Sequence, residues 1–193
     1  MHGNEYSNRL KGLVALNRNR SIKNLIREIP INALIDEDFC TQVSAAMTSG
    51  PDKWQKRRAH PEVGPMLPDR HGVYMFCWEP PLTFQTETEL NRFDWCLYVG
   101  KAENTTIRGR FETEYKKYVM GDPQLLWETK ENMTRQERLS KYFCLQPLTI
   151  WFLVVDNTTL IPDLEDKLLE FLNPPLNKQK SMRGRYLKAE AAF

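Results

Sequence analysis

Apolar residues recur at intervals of three and four along the amino-terminal part of the chain. Tyr6, Leu10, Leu13 and Val14 make one stripe, and Ser21 precedes a second made of Ile22, Leu25, Ile26 and Ile29, closed by Pro30. A third begins near Asp38, carries Phe39, Val43, Ala46 and Met47 on one face, and stops at Gly50-Pro51. Side chains at these intervals share one face of a helix, so residues 1–50 are predicted to be a helical extension. Pro51, Pro61, Pro65 and Pro68 then interrupt any period, and residues 51–70 read as a linker or exposed arm.

From His71 the period falls to two. Val73, Met75 and Cys77 point one way and Tyr74, Phe76 and Trp78 the other, which predicts a strand, and Trp95 to Gly100 alternates in the same manner. Residues 79–94 between them include Pro80 and Pro81 and are too many for a tight hairpin, so they read as an insertion. Thr106 is placed to cap a helix that turns Ile107, Phe111, Tyr115, Tyr118 and Val119 inward, and Thr134 to Phe143 form another helix. The unbroken apolar run Leu148 to Val155 predicts a central strand covered on both faces. Asp163 to Leu172 predict the last helix, stopped by Pro174-Pro175. This order describes an α/β or α+β fold: a core over residues 71–180 with three strands flanked by helices, behind a helical extension, followed by a basic tail over 181–193.

Composition narrows the class. The chain has 193 residues, 41% hydrophobic and 27% charged, which excludes two large domains and a disordered chain. No run approaches the roughly 20 apolar residues of a membrane span, and the first residues lack a signal peptide's apolar stretch, so a cytoplasmic protein without membrane contact is expected. Cys40, Cys77, Cys96 and Cys144 are scattered, as are His2, His60 and His71. That spacing disfavours zinc and cysteine chemistry and reads as reduced, mostly buried thiols. Charge is divided: residues 1–70 carry 11 Lys/Arg against 8 Asp/Glu, residues 71–177 carry 11 against 16, and residues 178–193 carry 5 against 1. Basic flanks suit a polyanion, and an acidic centre tolerates a cation.

Glu165 is the most informative residue. It is in register with Leu168, Leu169 and Leu172, which sets a carboxylate on the inward stripe of the last helix while Asp163, Asp166 and Glu170 face water. Such a carboxylate needs a cation or hydrogen-bonding partners, either at a functional site or in an ion pair with an Arg or Lys at the helix edge.

Gly72-Val73-Tyr74 is followed by Tyr98-Val99-Gly100-Lys101-Ala102, by Arg110 within Ile-Arg-Gly-Arg-Phe, by Glu165, and by Asn177 after Pro-Pro-Leu. In this order the motifs resemble the GIY-YIG nuclease family, over about residues 70–180. The Tyr-Val-Gly-Lys form resembles the amino-terminal nuclease of bacterial excision repair, whereas a small chain with added helices is more similar to the family's restriction endonucleases. The resemblance implies hydrolysis of a nucleic-acid phosphodiester, DNA rather than RNA, with one Mg²⁺ or Mn²⁺ held by Glu165. It implies that Tyr74 and Tyr98 border the attacking water, one of them as general base, with Lys101 supplying a nearby positive charge. Arg110 would bind the scissile phosphate, Asn177 would brace the site, and Gly72 and Gly100 would serve its backbone, Gly100 by permitting close approach.

The chain departs from the family in its 79–94 insertion and in having Glu114 where a His or Tyr often follows the arginine by four residues, with Tyr115 one step further. Either the helix is shifted, or Arg108, which shares a face with Tyr115, is the phosphate ligand instead of Arg110. If Glu114 takes the usual His or Tyr place, it is a second carboxylate near the metal or the mark of a weakened site. Outside the core, Lys53, Lys56, Arg57 and Arg58 with Trp54 read either as a DNA-contacting arm or as a solvated linker. Lys178, Lys180, Arg183 and Arg185 read as a DNA-holding tail or a soluble end. Restriction or defence against foreign DNA, structure-specific repair, and a silent binding module are the functions in view; double-strand cutting favours a homodimer, and a partner from a defence or repair system fits the first two.

Overall fold

The two alternating segments pair with each other. In the computed structural model, β2 (Gly72–Trp78) runs antiparallel to β5 (Trp95–Ala102) on one side and to β6 (Leu148–Val154) on the other. The structure describes residues 2–17, 37–48, 52–80, 82–85, 87–128, 130 and 132–177. The expected helix over Ile22–Ile29 and the basic residues Lys178, Lys180, Arg183 and Arg185 lie outside them.

A fourth strand joins the sheet. β1 (Gln55–Arg58) pairs antiparallel with β6, giving the order β1-β6-β2-β5. The expectation of a linker over 51–70 and of three strands is therefore corrected: Gln-Lys-Arg-Arg lacks apolar alternation because it is an edge strand whose pairing comes from its neighbour's backbone. Ala59, Val63 and Leu67 just beyond it are buried in the core. The 79–94 insertion is a small hairpin, β3 (Thr83–Gln85) with β4 (Leu90–Arg92).

Helices cover both faces of the sheet, making a mixed α+β architecture. On one face Tyr74, Phe76, Tyr98, Ile150 and Phe152 pack with Phe111, Tyr115, Leu139 and Phe143, and Tyr6, Leu10 and Leu13 of α1 (His2–Leu16) join this cluster from outside. On the other, Val73, Cys77, Cys96, Val99 and Leu153 meet Ile161, Leu164 and Leu168 of α5 (Ile161–Leu172), with Ala46 and Met47 of α2 (Glu37–Thr48) alongside. Each large apolar side chain enclosed this way contributes about 1.5–3 kcal/mol. Two further helical pieces border the first face: α3 (Ile107–Arg110), capped by Thr106 and continued by a wide turn over Phe111–Tyr115, and α4 (Arg135–Tyr142). The cysteines are free thiols, with Cys77, Cys96 and Cys144 buried, as expected. Among the described residues no helix is long and apolar enough to cross a membrane.

One irregularity aims a side chain. The register between β2 and β5 shifts after Phe76, so Tyr98 opposes Phe76 while Cys96 opposes Cys77, and Leu97 is the extra residue. Such a bulge lets Leu97 and Tyr98 both enter the first cluster.

Candidate functional site

Three phenols meet under the helical layer. Tyr115 Oη lies 2.9 Å from Tyr74 Oη and donates to Tyr98 Oη at 3.2 Å. Tyr74 and Tyr98 come from adjacent strands on one face, and the wide turn after α3 brings Tyr115 over both, its ring 5.7 Å from each. Widened helical turns are frequent at functional sites because they redirect one side chain. Gly100 makes the arrangement possible, since a Cβ there would sit 2.6 Å from Tyr74 Oη. Gly72 is equally constrained, its would-be Cβ lying 2.0 Å from the Leu153 carbonyl oxygen. Burial first, and then the neighbouring Tyr98, hold the Tyr74 phenol well above its ordinary value, and burial with both neighbours does the same for Tyr115. Both therefore keep their protons at neutral pH.

The charge beside these phenols comes from a residue outside the motifs. Arg135, at the start of α4, donates to Tyr98 Oη at 2.8 Å and to Tyr115 Oη at 2.9 Å, and its guanidinium lies 5.3 Å from the Tyr98 ring centre. Burial disfavours that charge, but the hydrogen bond to Tyr98 and the acidic groups around it hold the guanidinium firmly protonated. Thr134 fixes its position: its side chain and that of Glu137 close the first turn of α4 reciprocally. A sequence signal existed, since an arginine in the first turn opposes the helix dipole and calls for another reason to be there. Glu114 joins the cluster, ion-paired to Arg110 through Oε1 and 3.4 Å from Arg135 through Oε2.

Arg110 and Arg108 separate clearly. Arg110 stands near enough to Tyr74 to work against the burial that keeps its phenol protonated, and its Nε points at the Lys101 carbonyl oxygen at 3.5 Å. Arg108 turns away, donating to the Leu67 carbonyl at 2.9 Å, with Asp69 at 4.0 Å.

Lys101 corrects the expectation that it serves Tyr98. It opposes Val73, which belongs to the α5 face, so Tyr98 and Lys101 lie on opposite sides of the pleat. There its ammonium stands 3.4 Å from Glu165 and 3.4 Å from Glu103, and although burial disfavours the charge, Glu165 and Glu103 raise its ionisation overall. The Glu165 side chain is 17% exposed and does face inward, as its spacing predicted. Asn177 grips the backbone of Val99 on the outer edge of β5, and Leu176 N–H bonds to the Leu97 carbonyl at 3.0 Å. The expected residues thus straddle one edge strand: Tyr74, Tyr98 and Tyr115 on one face, Glu165 and Lys101 on the other, Arg110 and Asn177 along the rim.

The basic cluster of 53–58 does not act together. Lys56 is committed to Glu79 and Asp94 and lies over the Trp151 ring, and Trp54 packs against the α5-side core. Lys53, Arg57 and Arg58 are exposed.

A divalent cation is tested by the donors present. Among the described residues no three His, Cys, Asp or Glu side chains converge. Glu165, with Glu103 reaching the same ammonium, offers hard oxygens, which suits Mg²⁺ bound through one or two carboxylates with most of its waters retained. No protein-family model matches the chain, and neither a curated protein nor a solved structure does.

Proposed function

We propose that the chain is a metal-dependent endonuclease of the GIY-YIG type that hydrolyses DNA phosphodiester bonds, with a role in restriction or defence against foreign DNA. In this reading β5, β2 and β6 are the three-stranded core and β1 is an addition to its edge. The observation that carries it is the gathering of Tyr74, Tyr98, Arg110, Glu165 and Asn177, distant in sequence, around β5.

The residues divide the work as follows. Arg110 binds the scissile phosphate, where a guanidinium fork meets non-bridging oxygens and charge that grows in the transition state. Tyr98, acting as a phenolate, takes the proton of the attacking water as that oxygen bonds to phosphorus and the bond to the leaving oxygen breaks. Arg135 and Tyr115 donate to Tyr98 Oη, supplying the hydrogen bonds that a phenolate oxygen accepts before it takes that proton. Tyr74, which keeps its proton, orders the cluster through Tyr115. Glu165 would hold Mg²⁺ or Mn²⁺, which would supply positive charge against the negative charge of the transition state.

A second reading, a nucleic-acid- or protein-binding module without cleavage, draws on the Lys101–Glu165 contact, because an ammonium competes with a cation for that carboxylate. Plasmid, single-stranded and branched DNA, incubated with Mg²⁺ or Mn²⁺, separate the two. The nuclease reading expects discrete fragments from wild type, lost in EDTA, in Glu165→Ala and in Tyr98→Phe. Cutting of plasmid points to restriction, and cutting confined to branched DNA to repair. Absence of cleavage on every substrate removes the nuclease reading.

A further inference from the structure

The phenol cluster is bordered by two guanidiniums sharing one carboxylate. Arg110 and Arg135 come from different elements, yet Glu114 turns Oε1 to the first and Oε2 to the second. The arginine side chains are each 39% exposed and Glu114 is 30% exposed, so all three are open to a ligand from solvent. Two acceptor oxygens on one central atom, each aimed at its own guanidinium, reproduce how the two non-bridging oxygens of a phosphodiester engage arginines. The cluster also holds an excess positive charge within a segment, 71–177, where acidic residues outnumber basic ones.

Preorganisation differs between the partners. Arg135 is anchored by Tyr98 and Tyr115, which accept from the same Nη2 that stands 3.4 Å from Glu114, so its guanidinium is in place before a ligand arrives. Glu114 is held by its ion pairs to the two arginines, and the pair with Arg110 is a partly exposed i,i+4 contact of the kind that exchanges readily.

We propose that Arg110 and Arg135 form a two-guanidinium clamp for a backbone phosphate of nucleic acid, and that Glu114 is the internal anion this phosphate displaces. The inference deepens the nuclease reading and rests on it for the ligand's identity, but it concerns binding and does not require cleavage.

The test is titration of a mixed-sequence duplex oligonucleotide in EDTA, followed by fluorescence anisotropy over a range of salt concentrations. Glu114→Gln removes the competing charge and is expected to bind about threefold to fivefold more tightly. Arg135→Gln is expected to bind about tenfold more weakly and to lower the salt slope by about 0.9, the value for one lost phosphate contact. Arg135→Lys keeps the charge and is expected to keep the slope, which separates a lost phosphate contact from damage to the fold; thermal melts of each variant accompany the titrations. Glu114→Gln binding no tighter than wild type, an unchanged slope in folded Arg135→Gln, or no duplex binding by wild type overturns the clamp. Failure of the two readings is distinguishable. Cleavage by wild type with binding indifferent to Arg135 removes the clamp and keeps the nuclease, whereas Arg135-dependent binding without cleavage by wild type does the reverse.

Discussion

Asn177 closes both open backbone groups of Val99: its Oδ1 accepts from the Val99 N–H at 2.9 Å, and its Nδ2 donates to the Val99 carbonyl at 2.8 Å. A side chain substitutes here for the missing neighbour of an edge strand. Asn177→Ala leaves a donor and an acceptor without partners beside a fully buried side chain, and is expected to cost about 1–3 kcal/mol in urea unfolding. Asn177→Asp keeps the acceptor and loses the donor, so it is expected to fall between. A wild-type midpoint in Asn177→Ala would show that the brace contributes nothing.

Gly100 faces the Tyr74 ring so closely that an added methyl would lie 2.7 Å from Cζ and 2.9 Å from Cε2. The ring is fully enclosed and cannot swing away without disturbing Tyr115. Gly100→Ala is therefore expected to destabilise by about 1–3 kcal/mol, the usual range for overpacking. A double variant, Gly100→Ala with Tyr74→Phe, is expected to recover part of this, since the closest contact is with the hydroxyl. Thermal melts of the two proteins measure it.

Alkaline pH tests the phenols as a group. Burial raises Tyr6, Tyr74 and Tyr115 above the ordinary phenol value of about 10. The folded state then holds protons that the unfolded state releases, so stability is fully present below about pH 10 and lost as pH rises beyond it. Urea midpoints are expected to be flat from neutral pH to about 9 and to fall steeply above 10. Tyr115→Phe is expected to make that fall shallower, and an identical slope in the variant counts against the assignment.

Thr134 and Glu137 start the helix that carries Arg135. Thr134→Ala removes the cap and is expected to cost about 1 kcal/mol. The Glu137 carboxyl is held down at about 2, first by its hydrogen bond to Lys130 and then by the Thr134 amide. Its contribution is thus present above the ordinary carboxylate range and lost as pH falls towards 2. The stability difference between wild type and Glu137→Gln is expected to be constant from neutral pH to about 5 and to shrink below it. A difference that persists at the acid end would exclude a role for the carboxylate charge.

Several elements were legible because their pattern is local. Alternation marked β2 and β5, an unbroken apolar run marked β6, and the Leu168, Leu169 and Leu172 spacing marked α5 with Glu165 turned inward. β1 was not legible, since four polar residues become a strand only when β6 offers its backbone. The partners of Arg135 were hidden for a similar reason, although its place in a first helical turn was a signal. Arg135 sits in a polar stretch 37 residues from Tyr98, and only the packing of α4 on the sheet brings them to 2.8 Å.

What the sequence determined by itself is the set of faces: which strand residues share a side, where helices start and stop, and that an inward carboxylate required a partner. Even the separation of Lys101 from Tyr98 follows from it, because residues an odd number apart point to opposite sides of a regular strand. The tertiary structure alone decided which charge meets which oxygen across elements. Arg135 rather than Lys101 faces the phenols, Arg108 turns to Leu67 while Arg110 stays at the rim, and Glu114 spans two arginines. Periodicity belongs to the covalent chain and reads along it. Pairing of charges within a helix, as between Arg110 and Glu114, also follows spacing, but pairing between elements depends on distances that packing alone sets.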